Sequence, residues 1–131
     1  MKDITTPELI KFSQLTRDAC YDYDNKQIYR RLGRKILKEI AAKLGLLPGQ
    51  YDIRFNPGGI ACSGDHTLHT DNLYLALHDN IGFGSFYFRT CKGRKDYSGG
   101  QNHHVTWREL QQNGIDWLVE KMLKVIKIPV Y

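Results

Sequence analysis

Cysteine is scarce in this chain, and its three thiols are dispersed. Cys20, Cys62 and Cys91 lie far apart, and no Cys-x-x-Cys pair occurs. An odd, scattered set argues against both a disulfide framework and a cysteine zinc site, and it reads as reduced cytosolic thiols. Long apolar runs are missing too, so no membrane-spanning helix and no membrane partner are expected. The opening residues Met1 to Pro7 hold no hydrophobic signal region, which sets the expectation of a cytoplasmic protein. Repeats, low-complexity tracts and linker-like segments are absent, so one domain is expected over residues 1–131. No Walker A loop is present, and Cys91 does not begin a cysteine-phosphatase loop, because position 97 is tyrosine. No motif specifies a cofactor, which stays unknown at this level.

What is present is an ordinary globular composition with a basic bias. Of 131 residues, 41% are hydrophobic and 25% charged, enough apolar material for a core without disulfides or metal. The formal net charge of +5 favours polyanionic partners at long range.

Helical periodicity organises both ends. Thr6 as cap and Pro7 in the first turn start a helix whose stripe is Leu9, Phe12, Leu15 and Ala19. Ile28, Leu32, Ile36, Ile40 and Leu44 recur every four residues, widened by Tyr29 and Leu37, and Gly45 stands where a C-terminal cap belongs. The opposite face of this second helix carries Arg30, Arg31, Arg34, Lys35 and Lys38, a stripe spanning about 140° of the helical wheel. Near the end, Thr106-x-x-Glu109 is a capping box, Asn113-Gly114 breaks or restarts the helix, and Ile115, Leu118, Val119, Met122, Leu123 and Ile126 form a buried face.

The middle reads as strands. Tyr51, Ile53 and Phe55 alternate with Asp52 and Arg54, a turn follows at Asn56 to Gly59, and a short strand is expected from Ile60 to Ser63. Residues 68–78 and 83–91 read as a hairpin around Asp79 to Gly82. The expected fold class is α+β: an antiparallel sheet of about four strands with helices on one face, in the order α-α-β-β-β-β-α.

The chemistry is concentrated between Asp65 and His104, which holds all five histidines. Reading residues 68–78 as one strand puts His69 and Asp71 on the leucine face, as an outward extension of the core. Tyr74, Tyr87 and Arg89 fall on the other face, with Asn72 opposite Arg89. Tyrosine rings and an arginine on a sheet face are a recurrent platform for single-stranded nucleic acid. His66, His69 and Asp71 form the candidate catalytic set, with His69 as acid–base and Asp71 orienting it. Their spacing matches no standard zinc signature, and no metal site is assigned. Lys92, Arg94 and Lys95 in the glycine-bearing tract from Gly93 to Gly100 suit anion binding, with His103 and His104 beyond them.

Three functions are weighed on these residues. The leading expectation is a small nucleic-acid-binding domain, or one for another phosphate-rich ligand. It would use the helix stripe, the Lys92–Lys95 loop and the tyrosine face. The alternatives are an enzyme acting on phosphoesters or nucleotides through the His/Asp/Arg set, and a basic inhibitor or adaptor that docks a protein partner.

Overall fold

A computed structural model of the chain describes residues 3–18, 22–56, 64–77, 85–91, 93–94 and 102–126. The expected Ile60–Ser63 strand, the turns at 57–59 and 79–82, Lys92, Lys95, Cys20 and Cys62 lie outside them. Three helices, α1 (Thr6–Asp18), α2 (Tyr23–Lys43) and α3 (Trp107–Ile126), accompany five strands. The strands are β1 (Tyr51–Asn56), β2 (Asp65–Thr70), β3 (Leu73–Leu77), β4 (Ser85–Thr90) and β5 (His103–Thr106). All neighbouring strands pair antiparallel in the order β1-β2-β3-β4-β5. The α+β class and the antiparallel sheet are as expected. β5 lies in a polar stretch where no strand was expected, and the run expected as one strand from residue 68 supplies parts of both β2 and β3.

Local signals explain the helix ends. The first cap is Thr5, one residue earlier than expected: its hydroxyl accepts from the Glu8 amide, and the Glu8 carboxylate accepts from the Thr5 amide. Those contacts, the Thr5 backbone first and then Lys35, hold the Glu8 carboxyl below its usual range. Asp22 caps α2 through the amides of Asp24 and Asn25. Thr106 and Glu109 form the expected capping box, at 3.0 and 3.1 Å. Gly114, at φ 85° and ψ 172°, divides α3 where Asn113-Gly114 indicated a break.

The core lies between the helices and one face of the sheet. Leu68, Leu73, Leu75, Leu77, Phe86, Phe88 and Val105 meet Leu9, Phe12, Leu32, Ile36, Ile40, Leu110, Leu118 and Met122. Phe12 stacks on Tyr29 with ring centroids 4.7 Å apart, and Trp107 packs on Phe12 and Phe86. Leu123, expected inside, is exposed. α2 packs over β1 and β2, and α3 over β4 and β5. The helices therefore share one side of the sheet.

Candidate binding face of the sheet

The turn that follows β2 decides which side chains share the second face. Residues 68–77 are not one strand. They make a hairpin that turns at Asp71-Asn72, where the Thr70 hydroxyl accepts from the amides of Asn72 and Leu73 and donates to the Leu73 carbonyl. Side-chain alternation therefore restarts at Leu73. His69 pairs with Tyr74, and Leu68 with Leu75. This corrects the expectation that His69 lies on the leucine face: it stands on the opposite face, beside Tyr74.

Four rings now run across that face, one on each of β2 to β5. His69 and Tyr74 have centroids 5.1 Å apart, Tyr74 and Tyr87 6.1 Å, and Tyr87 and His104 5.6 Å. His69, 8% exposed, is held by the Thr67 hydroxyl at 2.9 Å from its Nε2. Tyr74 and Tyr87 are half-buried, and His104 is exposed. Arg89, also half-buried, is the cross-strand partner of Tyr74, the place expected for Asn72. Asn72 instead sits in the turn, and its carbonyl accepts from the Cys91 amide. Arg54 is exposed on the same face of β1, opposite Thr67, and belongs to no ion pair among the described residues. It was not singled out from the sequence, although its alternation with Ile53 and Phe55 assigns it to this face.

The candidate catalytic set does not converge. His66 is on the core face, 1% exposed, among Phe12, Tyr29 and Phe55. Its Nε2 lies 3.1 Å from the Arg30 carbonyl, to which it can donate, while Nδ1 is buried with no hydrogen-bond partner. Burial, followed by the nearby charge of Arg30, pushes its pKa down to about 4 against an opposing hydrogen bond to the Arg30 carbonyl, so the ring is neutral at pH 7. Asp71 is exposed and pairs with Arg94 at 3.2 Å rather than with His69. His69 and His104 are three strand spacings apart, about 14 Å, too far to act on one phosphorus atom. His103 points to the core side and stacks on Phe88. No group of three or more potential metal ligands occurs among the described residues.

The basic residues divide into those already matched and those not. Arg94 bridges Asp52, Asp71 and the Gly49 carbonyl, which ties its segment to the start of β1 and the β2–β3 turn. Lys35 pairs with Glu8 at 2.9 Å. Arg30, Arg31, Arg34 and Lys38 are in no ion pair among the described residues. The first three are exposed, and Arg30 lies over the Phe55 ring, 4.8 Å from its centroid. Lys92 and Lys95 lie outside the described residues. The helix stripe and the ring face are on opposite sides of the sheet.

A separate cleft of about 210 Å³ lies at the α3 break, lined by Asp3, Ile4, Leu9, Glu39, Lys43 and Gly114 among others. Lys43 is matched there by Asp3, Glu39 and Asp116, and its pKa is raised, chiefly by the hydrogen bond to Asp116. None of the candidate catalytic or phosphate-binding residues lines it. Comparison of the chain with protein-family models, with curated proteins and with solved structures returns no match.

Proposed function

We propose that the protein binds single-stranded nucleic acid on the face of the sheet opposite its helices. The observation that carries this reading is the line of rings His69, Tyr74, Tyr87 and His104, flanked by Arg54 and Arg89. Bases stack on aromatic rings whatever their identity, and arginine matches either a phosphate or the face of a base. His69 is too enclosed to receive a base and instead sets the position of Tyr74, leaving Tyr74, Tyr87 and His104 as the platform. The net charge of +5 adds long-range attraction. Binding supports this arrangement better than phosphoester cleavage, because His66, His69 and Asp71 do not meet at one reacting atom.

The test is fluorescence anisotropy with labelled single-stranded and duplex oligonucleotides of mixed sequence. Tyr74→Ala or Tyr87→Ala should weaken single-strand binding by about 1–3 kcal/mol, which is roughly 5- to 150-fold. Duplex should bind more weakly, since its bases are not free to stack. Failure of the wild-type protein to bind any single strand at low salt would remove the proposal.

A further inference from the structure

We infer that a strand bound on the ring face continues around the free edge of β1 onto the outer face of α2. This rests on the function proposed above and names the path of the longer ligand. Among the described residues β1 is an edge strand, with a partner on one side only. Its consecutive residues Arg54 and Phe55 point to opposite faces of the sheet. Arg54 stands on the ring face, while Phe55 carries the Arg30 guanidinium against its ring on the helix side. Arg30 is therefore the first cation reached on passing round the edge from Arg54.

The track continues along α2. Arg30 and Arg34 share the flank of the helix turned away from Lys35, the residue that pairs with α1 through Glu8. Arg31 and Lys38 follow on the outward crest. From Asn25 to Lys38 the helix has no acidic residue, and Glu39 is buried. These four cations and Arg54 are in no ion pair among the described residues, whereas Arg94, Lys35 and Lys43 are. Asp65, the acidic residue on the ring face of β2, stands opposite Asn56 rather than Arg54. An edge lined with unmatched arginines on both sides suits a flexible phosphodiester backbone, which can bend round it. A duplex is too stiff to follow that path.

The experiment compares labelled oligothymidylates of about 4 and about 20 nucleotides across a salt series. The proteins are wild type, Tyr74→Ala, and the triple variant Arg30→Gln, Arg31→Gln, Arg34→Gln. Tyr74→Ala should weaken both lengths. The triple variant should bind the short oligomer within about twofold of wild type, which also shows that it is folded. It should bind the long one roughly tenfold or more weakly, with a salt slope shallower by about 2, since each phosphate no longer neutralised removes roughly 0.7. Equal weakening of both lengths, or no change in either, overturns the path while leaving ring-face binding intact. If wild type binds neither oligomer, the proposed function fails and the path with it.

Discussion

The His66 ring occupies the space that a side chain on Gly33 would need. A β-carbon built on Gly33 would lie 2.4 Å from His66 Cε1 and 2.5 Å from both ring nitrogens. The glycine lets α2 approach β2 closely, and the imidazole fills the gap between helix and sheet. Gly33 sits in mid-helix, where alanine is ordinarily the better residue by about 1 kcal/mol. Here the sign should reverse, with Gly33→Ala costing roughly 1–3 kcal/mol through overpacking. Urea unfolding of Gly33→Ala, His66→Ala and the double variant checks this. The double variant should recover part of the Gly33→Ala loss, and strict additivity would show that the two positions do not compete for space.

The same histidine makes stability depend on pH. Its pKa is about 4 in the folded chain against 6.5 for the free side chain. Between these values the unfolded chain takes up a proton that the folded chain refuses. The stabilisation is therefore complete above about pH 6.5, falls as the pH drops and is exhausted near pH 4. At pH 5 the loss from this one group should be about 2 kcal/mol, read as the shift of the urea midpoint between pH 7 and pH 5. The shift should shrink in His66→Asn. A His66 ring that titrates near pH 6.5 in proton NMR of the folded protein would contradict the assignment.

Gly114 is a glycine of a different kind. Among the described residues nothing lies within 4 Å of the position its β-carbon would take, but its φ is +85°. Gly114→Ala should cost roughly 1–3 kcal/mol from backbone strain alone. Unlike Gly33→Ala, no substitution in a neighbouring side chain should relieve it. Thermal unfolding of the two alanine variants, each with its nearest side chains trimmed, separates steric from conformational cost.

Arg94 and Arg54 should respond oppositely to substitution. Arg94→Ala breaks contacts to Asp52, Asp71 and Gly49, and should lower stability by no more than about 1 kcal/mol because the group is part-exposed. Its charge is already matched, so oligonucleotide affinity should change little. Arg54→Ala should leave stability within about 0.5 kcal/mol and weaken binding. Paired melting and anisotropy measurements on the two variants check the contrast.

The helices were legible in the sequence because their signals are local. Leu32, Ile36 and Ile40 follow one period, and Thr106 and Glu109 cap within four residues. The sheet face was legible only in part. Tyr74, Tyr87 and Arg89 were assigned to one side correctly because their own strands are regular. His69 was misplaced because Thr70-Asp71-Asn72-Leu73 contains no glycine or proline to mark a turn. A side-chain hydroxyl makes that turn, and carrying the leucine parity back across it reverses the face assigned to His69, while Tyr74 beyond it keeps its side. His66 looked chemical because histidine usually is. Its actual role depends on Gly33, 33 residues away in the chain, and no local pattern announces such a contact.

The strand order has a consequence for how the molecule assembles. Every strand in β1-β2-β3-β4-β5 pairs with its neighbour in the chain, so no pairing waits for a distant segment to arrive. The connections run from two residues between β2 and β3 to twelve between β4 and β5, and the entropic cost of closing a loop grows only slowly with its length. The distant closure left is that of α3 onto α1 and α2, which seals the layer over the leucine face. For a chain with this much sheet, refolding should therefore be fast, limited by helix docking rather than by the search for strand partners.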